Sequence, residues 1–360
     1  MVMGVKAGWA LAAALAAAAA PGPHAWAEGA PRSLRVLGEA VQPIGAMQPR
    51  FVIDAEVTPG EADFQSDVKG WFAALPPGGG SDEVEGACVE ARCALTVDVG
   101  SDRLALSADL AGPTAPTGGK LTITDAEGRK LGEAPVRLAP ITGPVPGLGE
   151  LAPPGIIGSV ELADLLMWNG APTGFSYSDD EPVGWLERRA LAEWQRAHGK
   201  SANGLILKED LSALRREAQR AKAAAAWALL GDAKLGWTAG YPAALLPKVQ
   251  GDGQHLQFAS LDGAAVLTLS VDAPMSDQAF DAFVKRQSED RPGVENRSYT
   301  RVNDDMEITY EEGGRVFSAA YHNRPQGFYR LEFVRPKARA ALAPFDTILP
   351  RSLRVVDKAP

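Results

Sequence analysis

The sequence has few of the residues that carry most enzyme chemistry. It contains two cysteines and four histidines among 360 residues. No metalloprotease, serine-hydrolase or phosphate-loop motif occurs, and no histidine stands at a known catalytic spacing from an acid or a nucleophile. We therefore expect a protein that is not an enzyme and that holds no metal and no cofactor. An unrecognised cell-wall hydrolase stays open, because distant acids can be brought together by folding alone.

An excess of basic charge and a membrane-spanning apolar run are also missing. Acidic residues outnumber basic ones by 45 to 36, for a net charge of −9. A surface of this sign does not attract nucleic acid, so that partner is excluded. The longest apolar run, residues 7–20, has about 14 residues against the roughly 20 that span a bilayer.

That apolar run has the features of a signal peptide. It follows Lys6, and it is followed by Pro21 and by the small-x-small pattern of Ala25 and Ala27. The pattern predicts export to the periplasm or the medium, with cleavage after Ala27. Cleavage removes one basic residue and no acid, so the net charge becomes −10. The alternative is that this segment stays uncleaved as an N-terminal membrane anchor. A lipid anchor is not expected, because no cysteine follows the cut. After cleavage, the protein is expected to have no stable membrane anchor.

The two cysteines are close together. Cys88 and Cys93 have four residues between them, a spacing that closes a small loop between strands. In an exported chain such a pair is expected to form a disulfide. Half of a metal site is the alternative, but no second cysteine or histidine pair completes one.

Composition changes along the chain divide it into several regions. Residues 28–139 alternate apolar and polar positions between Gly/Pro clusters, which favours a small antiparallel β-sandwich. Residues 140–157 are rich in proline and glycine and are interpreted as a linker. Residues 158–230 carry helical periodicity and predict a three-helix bundle. Residues 231–360 return to strands and predict an α+β sheet meander with helices packed on one face.

Part of the helical region resembles a known family. Trp194-Gln195, Gly199, Gly204 and Leu214 occur in an order and spacing similar to those of the peptidoglycan-binding-like domain, a three-helix module of cell-wall proteins. The resemblance covers about residues 158–219. Glycine and threonine, common after the second turn in that family, are replaced here by residues 205–209. This departure leaves the helical core intact and places the ligand surface in question.

The resemblance implies that the helical region binds peptidoglycan. Arg188, Arg189 and Arg196 are the candidate ligand contacts, because a guanidinium binds the carboxylate of a stem peptide with two hydrogen bonds. The alternative is that these arginines lie on a solvated helix face. Trp194 and Leu214 fall on the apolar stripe and are expected in the core, while Gly199 and Gly204 are expected to serve the backbone.

Residues 234–356 have a weaker likeness to PsbP-like α/β modules, carried by Trp237, the 240–247 segment and the 261–263 hairpin. It implies a binding or assembly role. The function expected overall is that of a non-catalytic envelope protein that binds peptidoglycan. The alternative is an interaction or assembly factor that binds another envelope protein and no glycan.

Overall fold

A computed structural model describes residues 32–44, 49–59, 65–75, 80–89, 92–110, 116–171, 183–252 and 254–355. The expected signal peptide, with its expected cut after Ala27, lies outside the described residues. The chain divides into two compact units, Met1–Ile141 and Thr142–Pro360. Each is described by itself.

The first unit is a closed antiparallel barrel. Its strands follow one another in chain order, and each pairs with the next. They are β1 Arg32–Ala40, β2 Arg50–Pro59, β3 Gln65–Ala74, β4 Gly80–Val89, β5 Arg92–Val99, β6 Asp102–Leu110, β7 Pro116–Thr124 and β8 Lys130–Pro140. Pairing of β1 with β8, from Val36 opposite Pro140 to Ala40 opposite Val136, closes the ring.

The expected β-sandwich is therefore wrong. Alternation of apolar and polar residues is the same in a sandwich and in a barrel, because both have one buried face per strand. Leu95 and Val97 of β5, and Val136 and Leu138 of β8, point into the common core as the alternation requires. The two folds differ in whether the first strand pairs with the last. The alternation of apolar and polar residues does not predict that pairing.

Side chains fill the barrel interior. Rings of Phe51 and Phe72 stack with centroids 5.2 Å apart, and aliphatic side chains from neighbouring strands surround them. An eight-stranded barrel is just wide enough to be filled in this way. The interior is thus a packed core.

The expected disulfide is confirmed. Cys88 and Cys93 are directly opposite each other on β4 and β5 and are joined by a bond. Both cysteines are buried in the barrel core. The bond ties the two strands one residue pair from the end of their pairing, where Val89 is opposite Arg92.

The second unit combines helices with two sheets. Its helices are α1 Ser159–Trp168, α2 Trp185–Ala197, α3 Lys208–Ala224, α4 Asp277–Ser288 and α5 Phe345–Ser352. A three-stranded sheet has the order β18-β10-β9, formed by β9 Trp227–Asp232, β10 Trp237–Pro242 and β18 Arg354–Val355. A seven-stranded sheet has the order β11-β12-β13-β17-β16-β15-β14, formed by β11 Lys248–Gly251, β12 His255–Ala259, β13 Val266–Asp272, β14 Val294–Val302, β15 Asp305–Glu312, β16 Arg315–Arg324 and β17 Gly327–Pro336.

Helices cover both faces of the seven-stranded sheet. Phe280 and Val284 of α4 pack on Phe328, whereas Tyr329, the next residue of β17, belongs to the core that contains α5. Successive residues of a strand point to opposite faces. The expectation that the helices pack on one face is therefore wrong.

The prediction that residues 158–230 form a separate three-helix domain is also wrong. Helices α1 to α3 occur, but their buried side chains belong to the same core as β10, β13, β17 and α5. Trp168 at the end of α1 meets Trp227 edge to face at 4.9 Å and Phe345 at 6.3 Å. Helical periodicity identifies an apolar face and does not say which element covers it. Among the described residues, no helix combines the length and apolar character needed to cross a membrane.

Candidate functional site

A buried glutamine holds the loop between α2 and α3. The Gln195 amide oxygen accepts hydrogen bonds from the backbone N–H groups of Asn203 (3.0 Å) and Gly204 (2.9 Å). Its amide nitrogen donates to the Leu205 carbonyl (3.1 Å) and to Asp210 (2.7 Å). All four hydrogen bonds of the side chain are used inside the protein. Gln195 therefore positions the loop and does not face a ligand.

Two glycines allow that loop to turn. Gly199 has a φ of +68° at the end of α2, and Gly204 has a φ of +67° before α3. A side chain at positive φ is strained, so glycine suits both positions. Together with Gln195, they account for three of the motif residues as parts of a backbone turn.

The remaining motif residues are in the core. Trp194 and Leu214 are each about 1% exposed. The His198 ring lies 4.3 Å from the Trp194 ring, and its Nδ1 is 2.8 Å from the Trp194 carbonyl oxygen. The structure thus places Trp194 and Leu214 among the packed side chains of the core.

The outer face of α2 carries an exposed aromatic and two arginines. Trp185 is 42% exposed, and the Arg189 guanidinium lies over its ring at 5.5 Å. Arg196 is exposed two turns further along. Positions four and eleven residues after Trp185 fall on one side of a helix, so the three side chains form a stripe. We call Trp185, Arg189 and Arg196 the α2 stripe; the exposed Glu193 lies beside it.

Arg188 is placed differently. It is 8% exposed, and its Nη1 lies 3.5 Å from the Gly204 carbonyl oxygen. Its guanidinium faces the loop that Gln195 holds. Of the three arginines expected to contact a ligand, two are thus on the open surface and one is inside.

A second cluster of charged groups lies on the seven-stranded sheet. His322 Nδ1 is 2.7 Å from Asp305, and Arg324 donates to the same carboxylate at 2.9 Å. Burial of Asp305 disfavours its ionised form, but the bonds from His322 and Arg324 outweigh burial and lower the pKa of this carboxyl. The Nε2 of His322 is buried, and no atom of the described residues forms a hydrogen bond with it.

Glu307 lies two residues further along the same face of β15. Burial raises the pKa of Glu307 to about 7, against the opposing effect of Arg351 at 3.4 Å and of Arg354. The negative charge of Asp305 adds to the increase. With a pKa of about 7, the Glu307 carboxyl exchanges its proton near neutral pH.

Sequence reasoning missed the pairing of His322 with Asp305. The signal is the Gly313-Gly314 turn, which sets Glu312 opposite Arg315. Counting back along the hairpin from that pair places Asp305 opposite His322. A histidine and an acid seventeen residues apart are neighbours only because the turn is this short.

Neither cluster forms a recognisable catalytic or metal centre. No group of three or more histidine, cysteine or acidic side chains in the described part of the chain could hold a metal ion. His255 is exposed, and His198 lies 3.4 Å from Glu217 on the helical surface. The α2 stripe is the candidate site that has both exposed recognition groups and a rigid support.

Comparisons with known proteins give little guidance. No family model matches the chain, and no curated protein matches it. Among solved structures, the solution structure of cyanobacterial PsbP (CyanoP) from Synechocystis sp. PCC 6803 is similar, with 14% sequence identity. The match covers 36% of this chain and 92% of that chain, at a TM-score of 0.26. The likeness to a PsbP-like protein is thus a weak structural one.

Proposed function

We propose that this chain is an exported, non-catalytic protein of the bacterial envelope that binds peptidoglycan through the α2 stripe. The observation that carries the proposal is the exposed Trp185–Arg189 pair with Arg196 on the same side of a helix. Similarity of the Trp194 to Leu214 motif to peptidoglycan-binding-like modules supports it, and so does the signal-peptide pattern that ends at Ala27.

The chemistry of the stripe suits this ligand. An exposed indole offers an apolar face on which a sugar ring can stack, and its Arg189 neighbour holds it in place. Arg189 and Arg196 are separated by seven residues, roughly 10 Å along the helix axis. Their guanidinium groups can each bind a carboxylate of a stem peptide with two hydrogen bonds. Basic and acidic residues nearly balance in the helical region, so binding there would be local and not a general charge effect.

The test is cosedimentation of the purified full chain with washed cell-wall sacculi. The whole chain is required because α1 to α3 share their core with the C-terminal sheet. We expect the chain to pellet with sacculi at low salt and to release no soluble muropeptides. Replacing Arg189 and Arg196 by alanine is expected to weaken binding about tenfold, since each contributes a charge-assisted contact on a surface that water screens.

The matched control replaces Arg216 and Arg220, two exposed arginines of α3, by alanine. It makes the same charge change in the same unit and is expected to leave binding unchanged. An equal loss of binding to sacculi in both double variants would show that binding depends only on the net charge of the chain. Failure of the folded wild-type chain to pellet would reject peptidoglycan binding and favour the interaction or assembly role.

Export is tested separately. Expression in a Gram-negative host is expected to place the chain in the periplasm with Glu28 as its first residue, because the small-x-small pattern ends at Ala27. Edman sequencing or intact mass of the periplasmic protein measures this. Recovery of the protein with Met1 or Met3 still present would contradict cleavage.

A further inference from the structure

The exposed surface of α2 carries an acid between two arginines. Of the residues of α2, the exposed ones are Trp185, Arg189, Glu193, Arg196 and Ala197. The charges therefore follow one another along the helix as positive, negative and positive. A rise of about 1.5 Å per residue places Glu193 about 6 Å from Arg189 and about 4.5 Å from Arg196 along the helix axis.

These three charges are not paired with one another. The side chains of Arg189, Glu193 and Arg196 form no ion pair and no hydrogen bond within the described residues. Spacings of three and four residues permit ion pairs on a helix, but an arginine four residues before an acid is in the less favourable order. On the neighbouring helices, in contrast, Arg215 of α3 binds Glu161 of α1 at 2.7 Å. A ligand thus meets the charges of α2 without having to break an ion pair between them.

The acid changes which ligands this surface favours. Two arginines alone attract any group that carries two carboxylates. A carboxylate between the arginines repels such a ligand, because like charges at this separation oppose each other. The same carboxylate attracts a ligand that carries a cation between its two carboxylates. The surface of α2 is therefore complementary to a zwitterion and disfavours a purely anionic ligand.

We propose that Glu193 determines the specificity of the α2 stripe by binding the ammonium group of a diamino acid in the stem peptide, while Arg189 and Arg196 bind the carboxylates on either side. This inference rests on the proposed binding of peptidoglycan. Charged groups on three successive residues of an extended peptide are about 7 Å apart from first to last along the backbone. Their side chains supply the rest of the roughly 10 Å between the two arginines along the helix axis.

The helix holds the spacing of its charges fixed. Leu191 and Trp194, on the opposite side of α2, are each 1% exposed. At the start of the helix, Glu187 accepts a hydrogen bond from the Gly184 backbone N–H at 3.0 Å, and Gln195 holds the loop that follows the helix. A preorganised row of charges loses little freedom on binding, so differences between ligands appear directly in their affinity.

The experiment compares binding to sacculi before and after their free amino groups are acetylated. Acetylation removes the ammonium charge and leaves the carboxylates. The salt concentration is about 0.15 M, at which charges further apart than roughly 8 Å are largely screened. The full wild-type chain is expected to bind untreated sacculi about threefold more tightly than acetylated ones, since one exposed ion pair contributes a difference of this size. Cosedimentation over a range of protein concentrations measures both affinities.

Glu193→Gln is expected to bind both preparations equally, because it has no charge for the ammonium group to meet. Glu193→Lys is expected to prefer the acetylated sacculi, because lysine repels an ammonium group and attracts the carboxylates. The matched control is Glu289→Gln, which removes an exposed acid at the end of α4. It makes the same change in net charge and is expected to keep the wild-type preference. Both glutamates are on the surface, so all three variants should keep the wild-type circular dichroism spectrum.

The outcomes separate this inference from the proposed function. Equal binding of the wild-type chain to both preparations would overturn the role of Glu193 and leave peptidoglycan binding standing. A preference for untreated sacculi that persists in Glu193→Gln would overturn it as well. A folded wild-type chain that pellets with neither preparation would reject peptidoglycan binding itself, and this inference with it.

Discussion

Trp168→Ala is expected to lower the free energy of unfolding by about 3–5 kcal/mol, the usual cost of truncating a large buried aromatic side chain. Trp168 is the residue through which α1 contacts both Trp227 and Phe345. Its loss would leave a cavity between the helices and the C-terminal elements. Because one core includes both, they are expected to lose stability together.

Urea unfolding followed by far-ultraviolet circular dichroism measures the free energy, and hydrogen exchange shows which amides open. Amides of α1 and α3 and those of β13 and β17 should lose protection by a similar factor. Trp185→Ala is the control: this tryptophan is 42% exposed, so a change within about 0.5–1 kcal/mol is expected. Helices that unfold in a separate, earlier transition would contradict a shared core.

Glu307→Gln is expected to stabilise the protein at pH 8 and to leave its stability near pH 4 almost unchanged. The ordinary pKa of glutamic acid is 4.5, and burial raises that of Glu307 to about 7. The folded state therefore binds this proton more tightly than the unfolded state does. The resulting stabilisation is complete below about pH 4.5 and is lost as the pH rises through about 7. The difference corresponds to at most about 3 kcal/mol.

Glutamine keeps the neutral, hydrogen-bonding form at every pH, so the variant avoids that loss. Urea unfolding at about pH 4.5 and pH 8 measures the effect. Asp305→Asn is the matched control with the opposite sign. The pKa of Asp305 is lowered, so its ionised form stabilises the fold above its unfolded pKa, and the asparagine variant is expected to be less stable at pH 8. A loss of stability at pH 8 in Glu307→Gln would show that the pairing with Arg351 outweighs burial.

The candidate site was predictable in part. Helical periodicity and the turn glycines locate α2, α3 and the motif from Trp194 to Leu214 in the sequence. Helix α3 ends at Ala224, and the chain enters β9 at Trp227, whereas the alanine run is compatible with a helix as far as Leu230. Trp185, the first residue of the α2 stripe, is exposed, whereas Trp194 is in the core. The sequence alone does not predict which of these two tryptophans is exposed.

Arg189 is exposed and Arg188 is buried, although the two residues are adjacent in the chain. Neighbours on a helix point about 100° apart, so one of them faces the loop when the other faces solvent. Sequence predicts a basic surface here, but which arginine lies on it depends on how the loop from Gly199 to Leu207 folds back over α2. Gln195 determines that fold through four hydrogen bonds.

By itself, the sequence determined the local features of this protein. These are the alternation of the N-terminal strands, the bond between Cys88 and Cys93, the apolar faces of the helices, and the turns at Gly199 and Gly204. They depend on residues close together in the chain, where backbone geometry and spacing decide the outcome. Tertiary structure decided the closure of the barrel by β1 and β8, the joining of α1 to α3 with the C-terminal sheet in one core, and the burial of Glu307. Burial of apolar surface has no direction, so a hydrophobic pattern shows which side of an element is covered but leaves open what covers it.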